Sequence, residues 1–141
     1  MDLARAVALA KDNQRSVLVT LKRDGRPQLS NVVHAVGDDG LIRVSITDAR
    51  AKTANIRRDG RVSLYIPRDD LWAYLVIEGD GELSAVATSP DGATVDELIT
   101  LYRAMQGEHP DWDDYRRAMV ADRRLVLRMT PTYAYGAWPA S

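Results

Sequence analysis

No cysteine occurs in the chain, which removes disulfides, thiolate nucleophiles and Cys-ligated zinc or iron–sulfur centres from consideration. An excess of charge of either sign is also missing: 19 Lys and Arg stand against 20 Asp and Glu, for a net charge of -1. Without a global basic field, neither nucleic acid nor an anionic membrane surface is an expected partner, and any anionic ligand has to be met by a local cluster. The first residues contain no long apolar run. Met1 to Asp12 carries Asp2, Arg5, Lys11 and Asp12, and reads neither as a signal peptide nor as a membrane anchor. There is no internal repeat or low-complexity linker, and 141 residues suit one hydrophobic core. The expectation is a single domain over residues 1–141, soluble and cytoplasmic.

What is present is a succession of short strand signals. Ala4, Val7 and Ala8 suit a helix from about Leu3 to Lys11. Ser16 to Lys22 and Gln28 to Val36 flank the turn signal Arg23-Asp24-Gly25-Arg26-Pro27, as in a β-hairpin. In Leu41 to Thr47, Ile42, Val44 and Ile46 alternate with Arg43, Ser45 and Thr47, so one face is apolar and the other polar. Ala49 to Asp59 suits a short basic helix. Val62, Leu64 and Ile66 alternate up to Pro67, and Leu71 to Leu83 reads as a long strand interrupted by Gly79-Asp80-Gly81. Val95, Leu98, Ile99, Tyr102 and Met105 recur at helical spacing, and Pro110 to Ala121 forms a further helical stretch. Arg123 to Met129 and Thr132 to Tyr135 return to strand. The fold class expected is mainly β (α+β): a small barrel of antiparallel strands with a few flanking helices.

The densest chemistry lies at Ser45-Ile46-Thr47-Asp48-Ala49-Arg50-Ala51-Lys52-Thr53-Ala54-Asn55. Strand alternation sends Ser45 and Thr47 to one face, and Arg50, Lys52 and Thr53 follow at a turn and helix start. Free N–H groups at a helix N-terminus, two cations and nearby hydroxyls stabilise the same dianion, so the stretch reads as a phosphate cradle. The same residues also suit a solvated basic helix face, and spacing does not separate the two readings. A second stretch, Gln28-Leu29-Ser30-Asn31, sets three amide or hydroxyl side chains at a strand start. Such groups hydrogen-bond the edge of a planar heterocycle, although edge-strand polarity accounts for them nearly as well.

The runs Gly25-Arg26-Pro27-Gln28-Leu29-Ser30-Asn31, Val44-Ser45-Ile46 and Arg50-Ala51-Lys52-Thr53-Ala54-Asn55-Ile56-Arg57-Arg58-Asp59 resemble the pyridoxamine 5'-phosphate oxidase-like split β-barrel family. More narrowly, the chain resembles the actinobacterial branch that uses the deazaflavin coenzyme F420. Trp72-Ala73-Tyr74, Gly107-Glu108-His109, Asp111 to Arg116 and Asp122-Arg123-Arg124 fit that branch in order. The resemblance implies an F420-dependent reductase that passes a hydride to an electron-poor conjugated organic substrate, tetrapyrrole- or quinone-like. Arg50 and Lys52 would bind the cofactor phosphate, supported by Ser45, Thr53 and Asn55, while Ser30, Asn31 and Gln28 would lie along the ring system. It also implies a homodimer with cofactor sites at the interface, where Trp72 and Tyr74 would wall the partner's site. Relatives often carry proline where this chain has Gly60. An FMN-dependent enzyme of the same fold, or a non-catalytic carrier of F420 or flavin, is the alternative.

No catalytic acid or nucleophile is singled out by the residues. His34 and His109 stand at no ligand spacing from carboxylates, so both read as structural and no metal is expected. Asp111 before Trp112-Asp113-Asp114 reads as a helix N-cap, and Trp138 as a pin for the chain's end.

Overall fold

Strands with alternating apolar side chains have one face to hide from water, and six of them here close on themselves to hide it. The computed structural model describes residues 1–140. In chain order the elements are α1 (Leu3–Asp12), β1 (Arg15–Leu21), β2 (Pro27–Val36), β3 (Ile42–Thr47), α2 (Ala51–Arg58), β4 (Arg61–Pro67), β5 (Tyr74–Leu83), α3 (Ala93–Gln106), α4 (Trp112–Ala121) and β6 (Arg124–Ala137). The strands pair in the order β1-β2-β3-β6-β5-β4, with β4 returning to β1, and each pair is antiparallel. The split β-barrel expected from the resemblance is therefore the fold observed.

The barrel interior collects the inward residues of every strand, among them Leu18, Ile42, Ile46, Leu64, Ile66, Leu75, Ile77, Leu125, Leu127 and Met129. Burial of each such side chain contributes about 1.5–3 kcal/mol. Ala6 and Ala10, one helical turn apart on α1, join the same core with no exposed surface. Asp2 starts that helix by accepting a hydrogen bond from the Arg5 N–H. A second apolar cluster, with Val95, Leu98, Ile99, Tyr115 and Val126, packs α3 and α4 onto the outside of β6. Glu97 on α3 fixes that layer by accepting from Arg43 Nε at 2.9 Å and from Arg128 Nε at 2.8 Å.

Two pairings are short, with three residue pairs each: β1 with β4, and β2 with β3. β2 is bonded to β1 from Pro27 to Val33, but to β3 only from His34 to Val36, opposite Val44 to Ile42. Beyond His34 the two strands diverge. The residues Gln28 to Val33 on one side and Ser45 to Thr47 on the other border the resulting gap.

Two strand expectations need correction. Gly79-Asp80-Gly81 is not a turn: β5 runs unbroken through it, with a bulge at Glu78/Gly79. A Cβ on Gly79 would collide with the Thr130 carbonyl, so glycine permits close strand approach here instead of a reversal. The real turn lies earlier, at Asp69 to Trp72, where Leu71 has φ 65°. Likewise, the two C-terminal strand segments are one 14-residue strand, because Pro131 sits beside the bulge, where a missing N–H does not interrupt the ladder. Among the described residues, no helix is long and apolar enough to cross a membrane.

Candidate functional site

The gap between β2 and β3 opens into a cavity of about 560 Å³. Its walls are Gln28, Ser30, Asn31, Val32 and Val33 from β2, Ser45 to Thr47 from β3, Arg50, Ala51 and Lys52 from the start of α2, and Arg124 from β6. Six of the sequence-derived candidates, namely Gln28, Ser30, Asn31, Ser45, Arg50 and Lys52, thus meet around one space. Their distance in sequence is bridged by a simple device: β2 pairs with β3 only at its C-terminal end, and β3 turns directly into α2.

That turn is held by the chain itself. The Arg50 N–H donates to the Thr47 carbonyl at 3.3 Å, and the Thr53 hydroxyl donates to the same carbonyl at 2.6 Å. Asp48 bridges outward, accepting from Arg57 Nη2 at 2.6 Å and from Arg123 Nη2 at 3.0 Å. These partners hold its carboxyl below the usual range, Arg57 most strongly. Arg50 is the N-cap of α2 and no side chain caps the helix start, so the cavity borders a helix end whose first N–H groups lack a side-chain partner.

Thr53 and Asn55 do not line the cavity, contrary to their expected place at its phosphate end. Helical geometry turns both inward: Thr53 is fully buried against the turn, and Asn55 donates to Thr20 Oγ1 at 3.1 Å while accepting from Arg58 at 2.9 Å. Their work is to seat α2 on the barrel. The basic run is divided in the same way, since Arg57 pairs with Asp48 and Arg58 donates to the Leu21 carbonyl at 2.7 Å. Arg50 and Lys52 are left to face the cavity.

The electrostatics of this space are one-sided. Among the described residues, no carboxylate lines it, whereas Arg50, Lys52 and Arg124 do. Partial burial pushes the Lys52 ammonium below its ordinary pKa, and the positive charges of Arg50 and Arg124 add to that push. Two enclosed polar atoms, Ser30 Oγ and Arg124 Nε, have no hydrogen-bond partner. A buried polar atom left unpaired costs about 1–3 kcal/mol, so both atoms offer unused hydrogen-bonding capacity to whatever fills the cavity, water included. An anion flanked by a flat polar edge meets these demands.

Trp72 and Tyr74 lie elsewhere. Trp72 is 83% exposed in the turn before β5, and Tyr74 projects from the outer face beside Tyr65, with ring centroids 6.0 Å apart. Neither borders this chain's own cavity. Arg124 joins the site only through the strand register that sets it opposite Thr47. The adjacent Arg123-Arg124 pair at a strand start is the sole local hint.

Both histidines are taken up by contacts within the chain. His34 has no exposed surface; its Nε2–H donates to the Ala10 carbonyl at 2.9 Å and its Nδ1 faces Ser16 Oγ at 2.7 Å. Burial lowers its pKa. His109 accepts the Asp111 N–H at 2.9 Å and packs among Tyr102, Trp112 and Tyr115. Asp111 caps α4 by accepting from Asp114 N–H at 3.1 Å.

Residues 4–137 match a family model described as pyridoxamine 5'-phosphate oxidase. Among solved structures, a conserved hypothetical protein from Mycobacterium tuberculosis superposes with a TM-score of 0.73 at 21% identity, over 96% of this chain and 84% of that one. A structure described as an F420 reductase gives a TM-score of 0.65 at 24% identity, over 91% of this chain and 94% of its own. The heme storage protein of Vibrio cholerae gives 0.68 at 15% identity, over 96% of this chain and 94% of that one. At these identities the structural likeness speaks for the fold.

Proposed function

The chain belongs to the pyridoxamine 5'-phosphate oxidase family of split barrels, and we propose that within it the chain is a reductase that uses coenzyme F420 to reduce an electron-poor conjugated organic substrate. The observation that carries this reading is the cavity in the split, where Arg50 and Lys52 face no acid and the enclosed Ser30 hydroxyl lacks a partner. One of the structures that share its fold is described as an F420 reductase, which makes the deazaflavin the first cofactor to test ahead of FMN.

Arg50 and Lys52 hold the phosphate end, with the Ser45 hydroxyl beside them; Gln28, Ser30 and Asn31 meet the polar edge of the ring, and Val32 and Val33 give it an apolar wall. A deazaflavin supplies two-electron hydride chemistry when bound. The chain's own contribution is orientation, since no group in the cavity is poised as a general acid.

A homodimer belongs to the same proposal. Register places Asn31, Val17, Tyr65, Val76 and Tyr135 side by side across five strands on the outer face, continuous with the cavity at Asn31. Tyr65 and Tyr135 keep 36% and 41% of their surface exposed, an apolar face suited to a second copy. In that pairing Trp72 and Tyr74 wall the partner's cavity.

The test is a fluorescence titration of F420 and, separately, FMN into wild type and Lys52→Ala. Loss of a charge-assisted hydrogen bond of about 1.5–3 kcal/mol weakens F420 binding roughly 10- to 100-fold. Binding of FMN in place of F420 would retain the cradle and replace the cofactor; binding of neither refutes the proposal.

A further inference from the structure

We propose that Arg124 is a third anion-binding residue of the split cavity, contacting the ligand's anionic group together with Arg50 and Lys52. The inference deepens the reading of the cavity as a cofactor site, and it stands whichever cofactor fills it.

Three observations carry it. Arg124 lines the cavity, and its Nη1 stands 3.5 Å from Ser45 Oγ, so the guanidinium reaches from β6 to the β3 wall. Its Nε is enclosed yet unpartnered, whereas the neighbouring arginines are engaged with acceptors: Arg123 with Asp48, Arg116 with the Pro90 carbonyl and Asp96, Arg128 with Glu97. A guanidinium has five N–H donors in a fixed fork, and a protein that leaves one of them buried and empty has left it for an acceptor from outside. Finally, its charge depresses the Lys52 pKa alongside that of Arg50, which places Arg50 and Arg124 both within electrostatic reach of the lysine.

The backbone is arranged to aim this side chain. Arg123 holds φ 53°, a left-handed conformation unusual for a residue with a side chain, at the junction of α4 and β6. It is clamped there on two sides: the Asp48 N–H donates to its carbonyl at 3.0 Å, and its guanidinium grips the Asp48 carboxylate. Asp48 belongs to the turn that carries Arg50. The junction that delivers Arg124 is therefore tied to the loop that delivers the other two cations. Three cations and no lining carboxylate favour a ligand with more than one negative charge over a monoanion.

The experiment compares wild type, Arg124→Gln, Arg124→Lys and the exposed control Arg117→Gln, each with inorganic phosphate at constant ionic strength and then with F420 and FMN. Phosphate is expected to raise the melting temperature of wild type and Arg117→Gln, to raise that of Arg124→Lys less, and to leave that of Arg124→Gln unmoved. Cofactor affinity is expected to fall about 10-fold or more in Arg124→Gln, the effect of one charged hydrogen bond. In wild type alone, phosphate is expected to protect Arg124 from phenylglyoxal, read by peptide mass spectrometry. Phosphate that shifts wild type and Arg124→Gln equally, fails to shift wild type, or leaves Arg124 equally modified overturns the inference. If phosphate acts through Arg124 but neither F420 nor FMN binds wild type, the anion contact stands and the cofactor reading falls.

Discussion

The Ser16 hydroxyl and the His34 Nδ1 face one another at 2.7 Å inside the β1–β2 pair, and with the Ala10 carbonyl on Nε2 they satisfy a neutral imidazole completely. Because the Ala10 carbonyl only accepts, Nε2 carries the proton and Nδ1 accepts from Ser16. Burial lowers the folded pKa below the ordinary 6.5. Between that lowered value and 6.5 the unfolded chain binds more protons than the folded one, so stability rises with pH across this window and falls as pH drops through it. Urea midpoints at pH 7.5 and 5.0 should show that loss in wild type, and a smaller pH dependence in His34→Gln. An equal pH dependence in both would exclude His34 as the source.

Ser30 is a residue whose removal should help the empty protein and harm the loaded one. Its enclosed hydroxyl has no partner, so Ser30→Ala deletes an unsatisfied group and should raise folding stability by about 1 kcal/mol. Cofactor affinity should fall about five-fold, for one neutral hydrogen bond lost. Parallel melting and titration of one preparation separate the two effects; an unchanged affinity would mean that Ser30 does not meet the ligand.

Lys52 predicts a pH dependence of anion binding. Its pKa lies below the ordinary 10.5, chiefly through partial burial. Binding needs the ammonium form, so affinity should begin to fall at a lower pH than a free lysine would allow, while Lys52→Arg should hold its affinity further into alkaline pH. Titrations from pH 7 upward at fixed salt would show coincident curves if Lys52 made no contact.

Glu97 joins the α3 layer to two strands at once. Its carboxyl is held below the ordinary 4.5, first by Arg128 and then by Arg43. A depressed carboxyl contributes stability that is present above the unfolded value and is lost as pH falls through the folded one. Glu97→Ala leaves Arg43 and Arg128 side by side without their shared acceptor and should cost about 2 kcal/mol, a figure below that for fully buried pairs because these side chains keep some solvent. Faster hydrogen exchange along α3 would locate the loss.

Gly79 tolerates no side chain, since a Cβ would meet the Thr130 carbonyl and stand 3.0 Å from Met129 Cε. Gly79→Ala should lower stability by more than about 2 kcal/mol, with the β5–β6 register disturbed. A urea midpoint like that of wild type would show that the bulge can yield.

Alternation and turn residues made most strands legible in the sequence, because a half-buried strand must show period two whatever its partner. What misled was glycine: Gly79 and Gly81 resemble turn punctuation, but their role is close packing, which only the facing strand reveals. The cluster at Arg50 and Lys52 was legible because chain continuity from β3 to α2 brings it together locally. Thr53 and Asn55 fall behind the cavity wall because a helix of eight residues turns successive side chains to different sides, and composition does not say which side is buried. Arg124 depends on pairing across 77 residues of sequence, since it faces Thr47. Local patterns carry no trace of such a partner.

The brief β2–β3 pairing has one more consequence. Four seams of the barrel are stitched along most of their length, whereas the β1–β4 and β2–β3 seams are each fastened by three residues a side, and the cavity lies at the second of these. A ligand in the opening becomes a rivet for that seam, so the loaded barrel should resist heat in proportion to the logarithm of its ligand's concentration. The melting temperature of a fresh preparation then serves as a gauge of how much cargo it has carried out of the cell.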